Sequence, residues 1–119
     1  MKSRKKKTAL IAVSCDGVTV VRLALLSIDR DAAWAFSRAL DALRSTTTGH
    51  IIVDLSGTRF TCAALVSRLE AIERLLRSSR RRLGVCLPAG HAVASTFRTS
   101  GTALETDRNI NLLRRRLTR

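Results

Sequence analysis

Short, nearly continuous apolar runs alternate along this chain with stretches whose apolar residues recur at three- and four-residue spacing. The runs predict strands and the periodic stretches predict amphipathic helices. Ala9 to Ser14 is the first run, and Asp16-Gly17 behind it is a hairpin turn dipeptide. Val18 to Leu26 follows, β-branched at its start and continuous enough to predict a strand buried on both faces. Asp29 can cap a helix by accepting from an early backbone N–H. Between Asp31 and Arg44, Ala33, Phe36, Leu40 and Leu43 form one helical stripe, and Ser45 to Gly49 reads as loop.

His50 to Leu55 predicts a third strand, Ser56 to Arg59 a turn, and Thr61 the cap of a long helix reaching about Arg80. Leu65, Leu69, Ile72 and Leu76 share one face of that helix. The opposite face carries Glu70 with Arg74 and Glu73 with Arg77, acid first at i, i+4. Leu83 to Leu87 predicts a fourth strand, and Pro88 leads into a short helix to about Thr99, with Gly101 just past its end. Leu104 falls on a brief extended segment. Asp107 is expected to cap a last helix aligned by Ile110, Leu113 and Leu117.

The order β-β-α-β-α-β-α-α describes an α/β fold, a hairpin followed by parallel strands in a mixed four- to five-stranded sheet with flanking helices. Residues 1–8 read as a basic flexible tail and 9–119 as one domain, as 119 residues leave little room for a second core.

Composition adds charge to this picture. The net charge is +13, concentrated at Lys2 to Lys7, Arg77 to Arg82 and Arg114 to Arg119. Such a field attracts polyanions without naming one. Non-specific nucleic-acid binding through these clusters is therefore the alternative function, although no aromatic interleaving or recognition motif supports it. The two later clusters also lie where helices end, where cations complement the macrodipole.

No apolar run is long enough to span a bilayer, and the basic start lacks the apolar length and cleavage site of a signal peptide. A cytoplasmic protein without membrane insertion is expected. Cys15, Cys62 and Cys86 are odd in number and far apart, which builds neither a disulfide framework nor a zinc site. Walker, dinucleotide-turn, HExxH and nucleophile-elbow motifs are missing. The expectation is a non-catalytic protein without cofactor or metal.

The stretch Ile51-Ile52-Val53-Asp54-Leu55-Ser56-Gly57-Thr58-Arg59-Phe60 resembles the STAS family of anti-sigma-factor antagonists, in which a strand ending Asp-Leu-Ser leads into a Phe and an Asp-Ser-Ser-Gly motif. The likeness continues in register through Leu65 to Leu76, Arg82 to Val85 and Ser100-Gly101, and upstream through Asp16 to Leu23 and Asp29 to Leu43. It implies a STAS-like fold and a partner that is an anti-sigma factor or GHKL-type serine kinase. In that family, phosphorylation of a serine at the start of the long helix releases the partner.

Laying Phe60 on the family's Phe puts Cys62 at its Asp and Ala63 at its phosphoacceptor serine, with Ala64 and Leu65 after them. Alanine has no oxygen to phosphorylate. The usual Gly-Glu-Leu-Asp after the second strand is here Leu25-Leu26-Ser27-Ile28, with Asp29 one place later. A constitutive antagonist, a scaffold subunit and a paralogue with a changed partner all fit that loss.

The resemblance thus points to a partner surface over Asp29, Asp54, Ser56, Thr58, Thr61, Cys62, Ala63, Ala64 and Arg68. Thr61 is either a displaced phosphoacceptor or only a cap. Cys62 is either a redox switch at a helix N-terminus or a small packing residue. Asp54 either faces the partner or holds the turn through its own backbone bonds. Cys15 and Cys86 are expected to pack, His91 to lie at the surface, and Trp34 to pack at a helix edge.

Overall fold

In a computed structural model describing residues 10–118, Asp16 and Gly17 close an antiparallel hairpin of β1 (Leu10–Cys15) and β2 (Val18–Leu23). The chain continues through α1 (Arg30–Thr46), β3 (His50–Asp54), α2 (Ala63–Arg77), β4 (Leu83–Cys86), α3 (Ala92–Thr99), β5 (Glu105–Asp107) and α4 (Ile110–Thr118). The Lys2 to Lys7 cluster, the tail expected over 1–8, and Arg119 lie outside the described residues. Strand order in the sheet is β1-β2-β3-β4-β5, parallel throughout apart from the hairpin.

Because successive side chains of a strand point to opposite faces, the parallel strands feed two cores. Val21, Leu23, Ile51, Val53, Leu83 and Val85 pack under α1, α2 and α3, against Phe36, Leu40, Leu65, Leu69 and Val93. Val18, Ile52 and Cys86 face the other way, where Leu113 and Leu117 of α4 bury against them. Full burial of a leucine is worth about 2 kcal/mol, so these two residues are the main attachment of α4.

Several boundaries differ from the sequence reading, each for a local reason. β2 stops at Leu23, short of Leu26, because Ala24 to Leu26 leave the sheet to meet the loop after β3. α2 stops at Arg77: Arg80 turns to a positive φ of 61° and the Arg81 N–H bonds back to the Leu76 carbonyl. The segment near Leu104 becomes a fifth strand paired with β4. Asp107 does not cap α4. Asn109 does, its Oδ1 accepting from the Asn111 and Leu112 N–H groups at 2.8 and 3.1 Å, while Asp107 pairs with Arg116.

Two expected surface features are internal. Glu73 is buried and accepts from Arg82 Nε and the Leu83 N–H, both at 3.2 Å, with Arg77 only at 3.9 Å. A Glu70–Arg74 pair is not formed among the described residues. Arg81, read as part of a charged cluster, is a clamp. It donates to the Gly49 and Arg44 carbonyls at 2.7 and 2.9 Å and to Thr47 Oγ1 at 2.9 Å, tying the end of α1 to the start of β4.

Candidate functional site

Parallel strands deliver their following loops to one end of the sheet, and in open α/β sheets that carboxyl end is where ligands meet the fold. Here the loops after β2 and β3 are joined. Arg59 and Phe60 donate their N–H groups to the Leu26 carbonyl at 2.7 and 3.2 Å, and Ile28 donates to the Phe60 carbonyl at 2.9 Å. Ser27 and Phe60 thereby form an isolated parallel bridge. Leu26 and Phe60 are left side by side in the chain pairing and 62% and 58% exposed.

Thr58 is the pin beneath this platform. Its hydroxyl donates to the Leu25 carbonyl at 2.8 Å and it is buried, so it cannot face a partner as expected. Asp54 is also buried. Its Oδ1 accepts from the Ser56 N–H at 2.9 Å, the turn-holding role, and its Oδ2 lies 3.8 Å from Arg22 Nε. Asp54 also faces Cys86, whose thiol is pushed up to about 11 by burial first and then by the Asp54 and Asp107 charges. Asp29 caps α1 through the Ala32 N–H at 2.9 Å, as its position predicts.

At the start of α2 the cap residue is Cys62, not Thr61, and its side chain makes no capping bond. Thr61 Oγ1 is buried without a hydrogen-bond partner, so this hydroxyl is not presented to a kinase in the folded chain. Cys62 is half-buried, Ala63 is exposed as the first helical residue, and Ala64 packs against the core. Arg68 lies farther along α2, its guanidinium carbon 4.2 Å from the ring centroid of Trp34, which is 48% exposed.

A cleft of about 660 Å³ opens beside the platform, between the loops after β3 and β4, lined by Leu26, Ser56, Phe60, Pro88, His91 and Val93 among others. Leu26, Phe60 and the Pro88–His91 loop are absent from the sequence-derived site. The continuous apolar run made Leu26 look like strand, and Phe60 served only as an anchor for register. His91 is exposed, as expected, and Cys86 is buried, but Cys15 is exposed and not a packing residue. Among the described residues no group of three or more His, Cys, Asp or Glu is placed to hold a metal ion. No described helix is long and apolar enough to cross a membrane.

The arginine clusters are partly consumed by the fold. Arg81 clamps α1, Arg82 pairs with Glu73, and Arg116 pairs with Glu105 and Asp107. That reduces the free cationic surface on which the nucleic-acid alternative depends.

An antiparallel hairpin feeding three further parallel strands, with three helices on one face and a fourth on the other, is the STAS fold of the anti-sigma-factor antagonists. A crystal structure of an anti-sigma factor antagonist from Mycobacterium paratuberculosis superposes with a TM-score of 0.79 at 20% identity, covering 95% of this chain and 96% of that one. The anti-sigma factor antagonist SpoIIAA in its unphosphorylated form superposes with a TM-score of 0.66 at 16% identity, covering 92% and 98%. No protein-family model matches the chain. No curated protein matches it either.

Proposed function

We propose that this protein is a non-catalytic regulatory interaction module of the anti-sigma-factor antagonist kind. It binds an anti-sigma factor or a GHKL-type serine kinase, in the cytoplasm, through the joined loops after β2 and β3 and the first turns of α2. The observation that carries this reading is the exposed pair Leu26 and Phe60, held by backbone hydrogen bonds beside the start of α2. A rigid aromatic and an aliphatic side chain left in water at the carboxyl end of a sheet are the kind of anchors that interfaces bury. The fold likeness supplies the class of partner.

Ala63 determines the regulation. A phosphate on the first residue of α2 would add about −1.5 to −2 charges at the centre of this surface. The Ala63 methyl cannot accept one, and the Thr61 hydroxyl is enclosed. The antagonist is therefore constitutive, insensitive to the kinase activity of its partner.

The test begins with affinity capture from nuclease-treated native lysate under a high-salt wash, which removes counterion-driven polyanion binding. The captured anti-sigma factor is then titrated calorimetrically against the wild type and Phe60→Ala. Loss of at least about tenfold in affinity, roughly 1.4 kcal/mol, with unchanged circular dichroism is expected. Full affinity in Phe60→Ala, or no anti-sigma factor binding to the wild type, would overturn the proposal. With the kinase and ATP, only an Ala63→Ser variant should gain phosphate. Equal modification of the wild type at the same site would show the register is wrong.

A further inference from the structure

Sheet edges in soluble proteins are normally protected by charges, proline, bulges or short length, because their unpaired N–H and C=O groups template further pairing. β5 follows that rule, with three residues and the guanidinium of Arg116 on Glu105 and Asp107. β1 does not. Its six residues, Leu-Ile-Ala-Val-Ser-Cys, carry no charge and no proline, and they pair with β2 in unbroken register from Leu10 opposite Leu23 to Cys15 opposite Val18. Ile11 and Val13 are 58% and 60% exposed. Both lie on the face that α4 covers farther across the sheet, since they sit opposite Arg22 and Val20, and Val20 packs with the α4 cluster.

The hairpin geometry says which backbone groups of β1 have no partner among the described residues. Asp16 and Gly17 both have positive φ, 51° and 77°, the signature of a two-residue type I′ turn closing on a hydrogen-bonded pair. Cys15 and Val18 are that pair. With the alternation of an antiparallel ladder, Cys15, Val13 and Ile11 turn their N–H and C=O groups toward β2, and Ser14 and Ala12 turn theirs outward.

We propose that β1 pairs antiparallel with β1 of a second copy, about a two-fold axis at Val13, so that one sheet runs through both protomers. In this register Ala12 exchanges N–H···O=C bonds with Ser14 of the second copy, using the outward groups. Val13 opposes Val13 as a non-hydrogen-bonded pair, and Ile11 opposes Cys15. Ile11, Val13 and Cys15 share one face and Ala12 and Ser14 the other, so the Val13 pair and the Ile11–Cys15 pairs meet apolar to apolar and no charged side chain of β1 opposes another. The strand is thus its own complement, which is what favours a second copy as occupant. The joined loops after β2 and β3 stay open in both protomers, so the dimer stands independently of the partner assignment.

Two chains of charge +13 repel through the solvent, and the Arg114 guanidinium on the Cys15 carbonyl and exposed Arg22 beside Ile11 add to that repulsion, while β1 itself brings no charged side chain. Added salt therefore promotes the dimer, because a Debye length of about 10 Å at 0.1 M falls to about 3 Å at 1 M. Bridging by nucleic acid would weaken with salt instead. Sedimentation velocity on nuclease-treated protein should show a dimer whose share grows with concentration and with NaCl. Val13→Lys, at an exposed position, should be monomeric at the same concentration with an unchanged circular dichroism spectrum, and its melting temperature should lose the concentration dependence that the wild-type dimer shows.

In a Cys15→Ser, Cys62→Ser background, Val13→Cys should give a covalent dimer on copper–phenanthroline oxidation. Ala12→Cys, two residues out of self-register, should not. A monomer at every concentration and salt, a dimer that survives Val13→Lys, or equal cross-linking of both cysteine variants would overturn the proposal.

Discussion

A β-carbon on residue 49 would fall 1.8 Å from the Gly17 carbonyl oxygen, the oxygen that also accepts from the His50 N–H at 2.9 Å. The opposing atom is backbone, so no rotamer change relieves the clash. Gly49→Ala must push the hairpin turn away from β3 and break that bond. The expected cost is about 3 kcal/mol or more, read as a drop in urea midpoint with an unchanged m-value.

Neighbouring arginines at the end of α2 should respond in opposite directions. Arg81 makes three hydrogen bonds to the end of α1 and the following loop, so Arg81→Ala should cost about 2–3 kcal/mol, and Arg81→Lys should recover only part of it. Arg80 is exposed with φ 61°, where a glycine carries no Cβ penalty. Arg80→Gly should raise stability by up to about 1 kcal/mol, checked by the same denaturation.

His50 makes stability fall with acid. Its pKa is lowered by burial first and then by the Arg82 and Arg81 charges, and its Nδ1 accepts from the Arg82 N–H at 2.9 Å. The folded state thus binds the proton less readily than the unfolded chain, whose value is about 6.5. The contribution is complete above that value and is lost as pH falls toward the lowered one. Between pH 7 and pH 5 the wild type should lose more unfolding free energy than His50→Asn, whose amide oxygen can accept without titrating.

The thiols should separate by reactivity. Iodoacetamide should label exposed Cys15 first, half-buried Cys62 next, and Cys86 only on unfolding, since Cys86 is buried with its thiol near 11. Peptide mass spectrometry over time gives the order. Labelling of Cys86 at the rate of Cys15 in the native protein would contradict this packing.

Thr61 offers a stability test with no role in chemistry. Its enclosed Oγ1 lacks a partner, and an unsatisfied buried hydroxyl costs about 1–3 kcal/mol. Thr61→Val keeps the shape and removes that oxygen, so the melting temperature should rise while binding of the captured anti-sigma factor is unchanged.

Along the chain alone, the strand and helix order was legible up to α3 and again at the last helix, with the Asp16-Gly17 hairpin and the Asp29 cap read from their residue types and most of the core from its periodicity. Those features depend on neighbours in the chain or on which residues avoid water. The pairing that makes β5 a strand came from the fold. The motif register also located the region after β3, and with it the absence of a phosphoacceptor oxygen at Ala63. Tertiary structure alone decided what that region presents. Thr58 turns inward because its bonding partner, the Leu25 carbonyl, comes from another part of the chain, whereas Asp54 holds the turn through the neighbouring Ser56 N–H, one of the two roles its sequence position offered. Leu26 and Phe60 stay exposed because backbone bonds between two loops override the apolar run that made Leu26 look like strand. Cluster arginines and Glu73 became internal ties for the same reason: a charge's place depends on which carbonyl or carboxylate the fold brings beside it, and no pattern along the chain encodes that contact.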